Sequence, residues 1–134
     1  MAKINSVKDL FNQEFLCDLL STASCGSFWF HCGVHKDTPS KIYKNARKKY
    51  ECAEDIWAYC LLHGGFINIV DVEENEENPE NGQHKISLED IIKGMKIVIL
   101  NYPKIYAALM DESADLFDAD AVIQCSVFGD IIYG

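Results

Sequence analysis

Two Cys-x-x-His pairs are the sharpest chemical pattern in the sequence. Cys32 and His35 form the first pair, Cys60 and His63 form the second, and 24 residues separate the two pairs. Zinc takes four nitrogen or sulfur ligands in a tetrahedron, so two such pairs would complete a structural site. The usual halves of structural zinc sites are Cys-x-x-Cys and His-x₃₋₅-His, so the match is partial. We expect no cofactor and keep a zinc-stabilised structural module as an alternative.

A cysteine nucleophile is the second chemistry to consider. His31, Cys32 and His35 are neighbours in sequence, but a catalytic pair meets through the fold and needs an orienting third group. No signature of a cysteine hydrolase surrounds any of the six cysteines. The chain also has neither a Walker-type loop nor a Gly-x-Gly-x-x-Gly motif. We therefore predict that the protein is not an enzyme.

Charge is distributed unevenly along the chain. The 134 residues carry 12 basic and 21 acidic side chains, a net charge of −9. Segment 36–49 holds six of the basic residues and one acid, a net of +5, which leaves −14 on the rest. An acidic surface repels nucleic acid and favours basic partners. We expect a protein partner with a basic surface and no direct nucleic-acid binding, for which segment 36–49 is the only candidate surface.

Eleven of the acidic residues fall in two short windows, 71–80 and 111–120. The plainer interpretation is that these acids keep the protein soluble. The functional interpretation is that the first window, predicted to be a loop between two strands, contacts the basic partner. The candidate contact residues are then Glu73, Glu74, Glu76 and Glu77.

An aromatic run supplies one further candidate. Phe28, Trp29 and Phe30 are consecutive, so on a strand Trp29 faces away from the other two. Burial in the core is the default for side chains of this size. An exposed Trp29 would instead be a contact anchor for a partner, and we keep it as a candidate on that condition.

Apolar runs in the sequence are short. The aliphatic run at 97–100, for example, has four residues, whereas a bilayer span needs about 20. The first six residues lack the apolar stretch of a signal peptide. We therefore expect a cytoplasmic protein with no membrane partner, in which the six cysteines stay reduced.

Hydrophobic periodicity and turn residues predict one α+β domain over residues 1–134, with four or five helices packed on a two- or three-stranded antiparallel sheet. The predicted strands are 28–32, 66–72 and 84–86. Segment 40–49 is predicted to be loop or a first helical turn, and 73–82 a solvated hairpin loop. Five helices are predicted. The first is capped by Ser6 and ends near residue 21, and the second covers 50–63. The third covers 88–102 and is capped by Ser87 with Asp90, a short fourth lies within 104–110, and the last is capped by Asp118.

Several segments together resemble a known group of sequences. Residues 19–29, 63–71 and 86–94 contribute, and the C-terminal stretch 118–134 is the most specific. That stretch places an Asp-Ala-Asp triplet, a glutamine, Phe-Gly-Asp and Tyr-Gly in order. Together they are similar to small uncharacterised phage and prophage proteins with such a tail. The chain departs from the group at residues 24–26, which read Ser-Cys-Gly where Glu-Gly-Gly is frequent.

The resemblance implies an accessory protein of a phage or mobile element, made in a bacterial host cytoplasm. Small acidic phage proteins include inhibitors of host defence systems such as CRISPR effectors. The resemblance thus implies a non-enzymatic inhibitor that binds a host defence or nucleic-acid-handling protein. A binder that sequesters a nucleotide signal, using Lys41 to Lys49, is an alternative from a different class.

Overall fold

The computed structural model describes residues 7–25, 27–77 and 82–133. A 3₁₀ turn at Val7–Leu10 precedes the first α-helix. Seven α-helices and three β-strands follow within the described residues. Their order is α1 (Gln13–Cys25), β1 (Phe30–Val34), α2 (Ser40–Lys49), α3 (Ala53–Leu62), β2 (Ile67–Asp71), α4 (Val72–Glu77), β3 (Gln83–Ile86), α5 (Leu88–Asn101), α6 (Pro103–Met110) and α7 (Leu116–Phe128).

The sheet is antiparallel throughout, with strand order β1-β2-β3. Phe30 lies opposite Asp71 at one end of the β1–β2 pair, and Ile67 lies opposite Ile86 in the β2–β3 pair. On β2, alternate side chains are buried, as expected for a strand with one face against helices. Helices α2 and α3 form the connection between β1 and β2.

Close packing of α5 on α7 brings two helical backbones together at a glycine. A Cβ added at Gly94 would lie 2.7 Å from the Ser126 nitrogen and 2.8 Å from the Val122 carbonyl oxygen. Such distances are below any real carbon contact, so only glycine fits this position. The hydrophobic core continues from these helices to α1 and the sheet, and Trp29 is fully buried within it.

The α+β class and the antiparallel sheet are confirmed, whereas the predicted number of four or five helices is too low. One additional helix is α2, which was predicted to be loop or a single turn. Two features stabilise this helix. Ala46 is fully buried, and the positive charges of the last turn interact favourably with the negative end of the helix dipole. The other is α4, within the predicted hairpin loop, where acidic residues occupy the favourable first turn. Residues 78–81, the rest of that loop, lie outside the described residues.

Helix starts were predicted with mixed success. The Ser87–Asp90 capping box is confirmed, since the Asp90 nitrogen donates to the Ser87 hydroxyl and Asp90 accepts from the Ser87 nitrogen. Asp118 is not the cap of the last helix. Asp115 is the cap, and Asp118 completes the box from the third helical position. Ser6 lies outside the described residues, and α1 begins after Asn12, whose side chain accepts from the Phe15 nitrogen.

Candidate partner-binding surface

Gln124 joins the C-terminal tail to α7. This side chain is fully buried, and its Oε1 accepts hydrogen bonds at 2.8 Å from the backbone nitrogens of both Ile132 and Tyr133. Its Nε2 donates to the Asp120 carboxylate at 2.6 Å and to the Tyr133 carbonyl oxygen at 3.2 Å. Because a buried polar group is costly without partners, this amide holds the tail in one place.

Asp120 extends the same set of bonds to the aromatic run. Its second carboxylate oxygen accepts from the Trp29 indole nitrogen at 2.6 Å. The Trp29 ring also stacks on Tyr133, with ring centroids 5.4 Å apart. A carboxylate that accepts from both an indole and an amide is satisfied by charge-assisted bonds. Asp120 therefore acts within the fold and is not a free surface charge.

Tyr133 links the tail to the start of α4. Its hydroxyl donates to Asp71 at 2.7 Å, and the other oxygen of Asp71 accepts from the backbone nitrogens of Glu73 and Glu74. Partial burial raises the pKa of Tyr133 to about 12, and the bond to Asp71 and the charges of the two glutamates act in the same direction. We call Trp29, Asp71, Asp120, Gln124 and Tyr133 the tail network.

Trp29 was a candidate contact anchor on the condition that its side chain is exposed, and the structure does not meet that condition. Its side chain is fully buried, so it does not lie where a partner could contact it. Its backbone nevertheless lies close in space to the start of α4, because its carbonyl oxygen accepts from the Val72 nitrogen at 2.8 Å. The core interpretation of this tryptophan is the one that the structure supports.

Phe28 is the exposed aromatic residue at this position. It is 60% exposed, and its ring packs edge-on against Tyr133 with centroids 6.3 Å apart. The predicted alternation of faces is wrong here, because β1 begins only at Phe30, and Trp29 and Phe30 are both buried with ring centroids 4.7 Å apart. Alternation therefore did not indicate that Phe28 is exposed and Trp29 buried. Packing of the tail against Trp29 decides this.

Glu73 and Glu74 are exposed on α4, whereas the side chains of Glu76 and Glu77 lie outside the described part of the structure. Among the described residues, the lysine–carboxylate pair joins Lys85 to Asp37, so neither Glu73 nor Glu74 is neutralised by a basic side chain. Through Asp71 and Tyr133, these two glutamates lie on the same side of the molecule as Phe28. We call Phe28, Glu73 and Glu74 the acidic–aromatic surface.

The second acidic window is largely used for local structure. Asp115 and Asp118 form the capping box of α7, and Asp111 accepts from the backbone nitrogen of Ser113 at 3.0 Å. The bonds from Ser113 hold the pKa of Asp111 below its ordinary value. This window therefore offers a partner fewer unengaged carboxylates than its composition suggests.

The two Cys-x-x-His pairs do not assemble into a metal site. Cys60 is buried in the core, and the ring of His63 stacks on Tyr59 with centroids 4.0 Å apart. The Nδ1 atom of His35 accepts from the Asp37 nitrogen at 3.0 Å. Within the described ranges, which include all four candidates, no three histidine, cysteine or acidic side chains lie close enough to share a metal ion.

The cysteines are all free thiols. Burial raises the pKa of Cys32 strongly, and the charge of Glu54 raises it further, so this thiol stays protonated at neutral pH. Burial also raises the pKa of Cys17 and of Cys125 to about 11 in each case. Because the thiolate is the reactive form, these positions are unfavourable for nucleophilic catalysis.

The basic residues of segment 36–49 lie mostly on α2. Lys44, Arg47 and Lys48 line an open depression of about 330 Å³ on the surface of this helix. A free nucleotide would be enclosed on one side only, whereas small-molecule sites usually bury most of the ligand. The depression is therefore a poor match to the nucleotide-sequestering alternative.

Every helix in the described ranges is too short or too polar to traverse a bilayer. Comparison with protein-family models, with curated proteins and with solved structures finds no match to this chain.

Proposed function

We propose that this chain is a non-enzymatic binding protein that covers a basic surface of a host defence or nucleic-acid-handling protein. In this proposal it is an accessory protein of a phage or mobile element and acts in the bacterial cytoplasm as an inhibitor. The acidic–aromatic surface makes the contact. Glu73 and Glu74 pair with lysine and arginine side chains of the partner, and Phe28 supplies the apolar anchor.

One observation carries this proposal. The backbone nitrogens of Glu73 and Glu74 are bound by Asp71, and Asp71 is bound in turn by Tyr133, against which Phe28 packs. The charged and aromatic side chains are therefore exposed while the backbone beneath them is held. A contact surface held in this way loses less conformational freedom on binding, and this favours affinity.

The experiment is affinity capture from the bacterial host, with identification of captured proteins by mass spectrometry. The wild-type chain should retain a stoichiometric partner at physiological salt. The double variant Glu73→Lys/Glu74→Lys should lose that partner, because like charges now face the basic surface. Phe28→Ser should also weaken retention, since an exposed anchor is removed without opening the core.

Glu14 and Asp18 provide the matched control. Both are exposed acids one helical turn apart on α1, which contributes no residue to the acidic–aromatic surface. Reversal of this pair makes the same change in net charge and should leave the captured partner in place. The proposal fails if the wild type captures no stoichiometric partner, or if both double variants retain it equally.

A further inference from the structure

Helix α2 presents a continuous basic face that the proposed function does not use. Lys41, Lys44, Arg47 and Lys48 are all exposed, and their positions fall within about 120° of the helix circumference. Fully buried Ala46 lies on the opposite side, where α2 packs on α3. We propose that this face binds the phosphate backbone of a single-stranded nucleic acid, as a site separate from the acidic–aromatic surface.

The stability of the helix explains only the last-turn part of the basic face, where Arg47 and Lys48 lie favourably at the negative end of the helix dipole. Lys44 lies three residues after Lys41 and four before Lys48, so like charges are neighbours along the face. Such pairs at helical spacing destabilise a helix, and α2 has no acidic residue to offset them. No ion pair in the described ranges reaches these side chains, because the lysine–carboxylate pair found there joins Lys85 to Asp37. The face is therefore available to an external anion.

The start of α2 is held firmly against the sheet. The hydroxyl of Thr38 accepts from the Phe66 nitrogen and donates to the Phe66 carbonyl oxygen, both at 2.9 Å. Next to it, a Cβ at Gly65 would lie 2.6 Å from the Thr38 methyl group, so this close approach needs glycine. Anchoring at one end and burial of Ala46 orient the basic face without involving its charges.

An aromatic ring at the edge of the face favours nucleic acid over other anions. Tyr43 is 38% exposed, and the guanidinium carbon of Arg47 lies 5.4 Å from its ring centroid. Proteins that bind single strands combine a basic track for phosphates with aromatic rings on which bases stack. A lipid surface would instead require apolar side chains on the exposed face, which in α2 is basic.

The negative charge of the remaining chain limits the length and the affinity of the nucleic-acid contact. Outside segment 36–49 the net charge is −14, which repels a nucleic acid from the rest of the surface. The earlier expectation against nucleic-acid binding followed from this overall charge, and it does not apply to a face on which four basic groups are contiguous. We expect a short contact of about four phosphates, weak and strongly dependent on salt.

Fluorescence anisotropy with labelled oligothymidylate and oligouridylate of about 12 nucleotides tests the proposal. For about four phosphate contacts, the slope of log affinity against log salt should be near −3. Lys44→Glu/Lys48→Glu should weaken binding by about tenfold or more, and Tyr43→Ala by about fivefold through lost stacking. Circular dichroism of each variant verifies that the helices remain folded.

Lys93 and Lys96 serve as the matched control, because both are exposed and lie three residues apart on α5. Lys93→Glu/Lys96→Glu makes the same change in net charge and should leave oligonucleotide binding nearly unchanged. Equal loss in both double variants would overturn the proposal, since overall charge would then explain it. So would equally tight binding of an oligoglutamate peptide or of phosphatidylserine vesicles, or no binding of either oligonucleotide at low salt.

Discussion

Polar side chains at the C-terminal tail and on helix α2 have opposite environments. In the tail network, the buried amide of Gln124 makes four hydrogen bonds, and Asp120 accepts from an indole and an amide. On α2, Lys44 and its basic neighbours are exposed and take part in no ion pair among the described residues. The first set of groups is occupied by the fold, and the second is available.

This difference shows that the most recognisable sequence motif serves the fold and is not the best candidate for contact with other molecules. The glutamine, the second aspartate of the Asp-Ala-Asp triplet and the tyrosine of Tyr-Gly are the most recognisable residues of the C-terminal stretch, and all three belong to the tail network. Their spacing is explained by the return of the tail over α7. Exposed side chains that make no ion pair among the described residues, on α2 and on the acidic–aromatic surface, are therefore better candidates for contact with other molecules.

The largest effect is expected from Gln124→Leu, which keeps the side-chain volume but removes every hydrogen bond of the amide. Two backbone nitrogens, an Asp120 oxygen and the Tyr133 carbonyl oxygen lose this partner, so the free energy of unfolding should fall by about 3 to 4 kcal/mol. Urea unfolding followed by circular dichroism measures this change. Asn45→Leu, at an exposed position on α2, should change the free energy of unfolding by less than about 0.5 kcal/mol. Equal effects at the two positions would remove the contrast between the regions.

Gly94→Ala tests whether α7 is held by its close approach to α5 as well as by the tail network. The new methyl group would meet the Ser126 nitrogen and the Val122 carbonyl oxygen, so stability should fall by about 2 kcal/mol despite the better helix propensity of alanine. Gly33→Ala on β1 is the control, because nothing lies within 4 Å of its Cβ position. A loss at Gly94 larger than that of Gln124→Leu would make packing the main support of α7.

Tyr133→Phe removes one bond of the tail network and should cost about 1 kcal/mol near neutral pH. The pKa of Tyr133 is raised to about 12 in the folded chain, against about 10 for an unfolded tyrosine. The folded state thus retains its proton more firmly, and this contribution to stability is complete below pH 10 and lost as pH rises toward 12.

Urea unfolding at a series of alkaline pH values should therefore show a steeper loss of stability in the wild type than in Tyr133→Phe. Ultraviolet titration of the folded wild type should contain one late tyrosinate that the variant lacks. Identical pH profiles for the two chains would show that the hydroxyl is not protected by Asp71.

The smallest and most diagnostic change is Lys44→Glu. The new carboxylate would lie three residues after Lys41 and four before Lys48, replacing like-charge pairs by attractive ones. Stability should rise by about 0.5 kcal/mol while oligonucleotide binding falls. Lys93 lies one turn after Glu89 on α5, so Lys93→Glu places two negative charges together. This variant should lower stability slightly and leave oligonucleotide binding unchanged. A loss of stability at Lys44 would mean that its charge serves the fold.

Local patterns predicted those parts of the fold that depend on neighbouring residues. The strand at 67–71 follows from its β-branched residues, and the Ser87–Asp90 box follows from a cap three residues before its partner. The strand at 83–86 was predicted from its place after a turn-rich segment. Helix α2 was missed because five basic residues outweighed the burial of Ala46, which is visible only once α3 packs against it. The start of α7 was misplaced by three residues, since Asp115 and Asp118 are both residue types that cap helices.

The sequence by itself determined the α+β class, the antiparallel sheet and the concentration of charge in short segments, because periodicity and charge act over a few residues. Only the tertiary structure decided which polar groups remain available. Trp29 and Phe28 are adjacent, yet one is buried beneath Tyr133 and the other is exposed. That choice depends on a tail more than 100 residues away in sequence, and contacts at such a separation leave no local pattern.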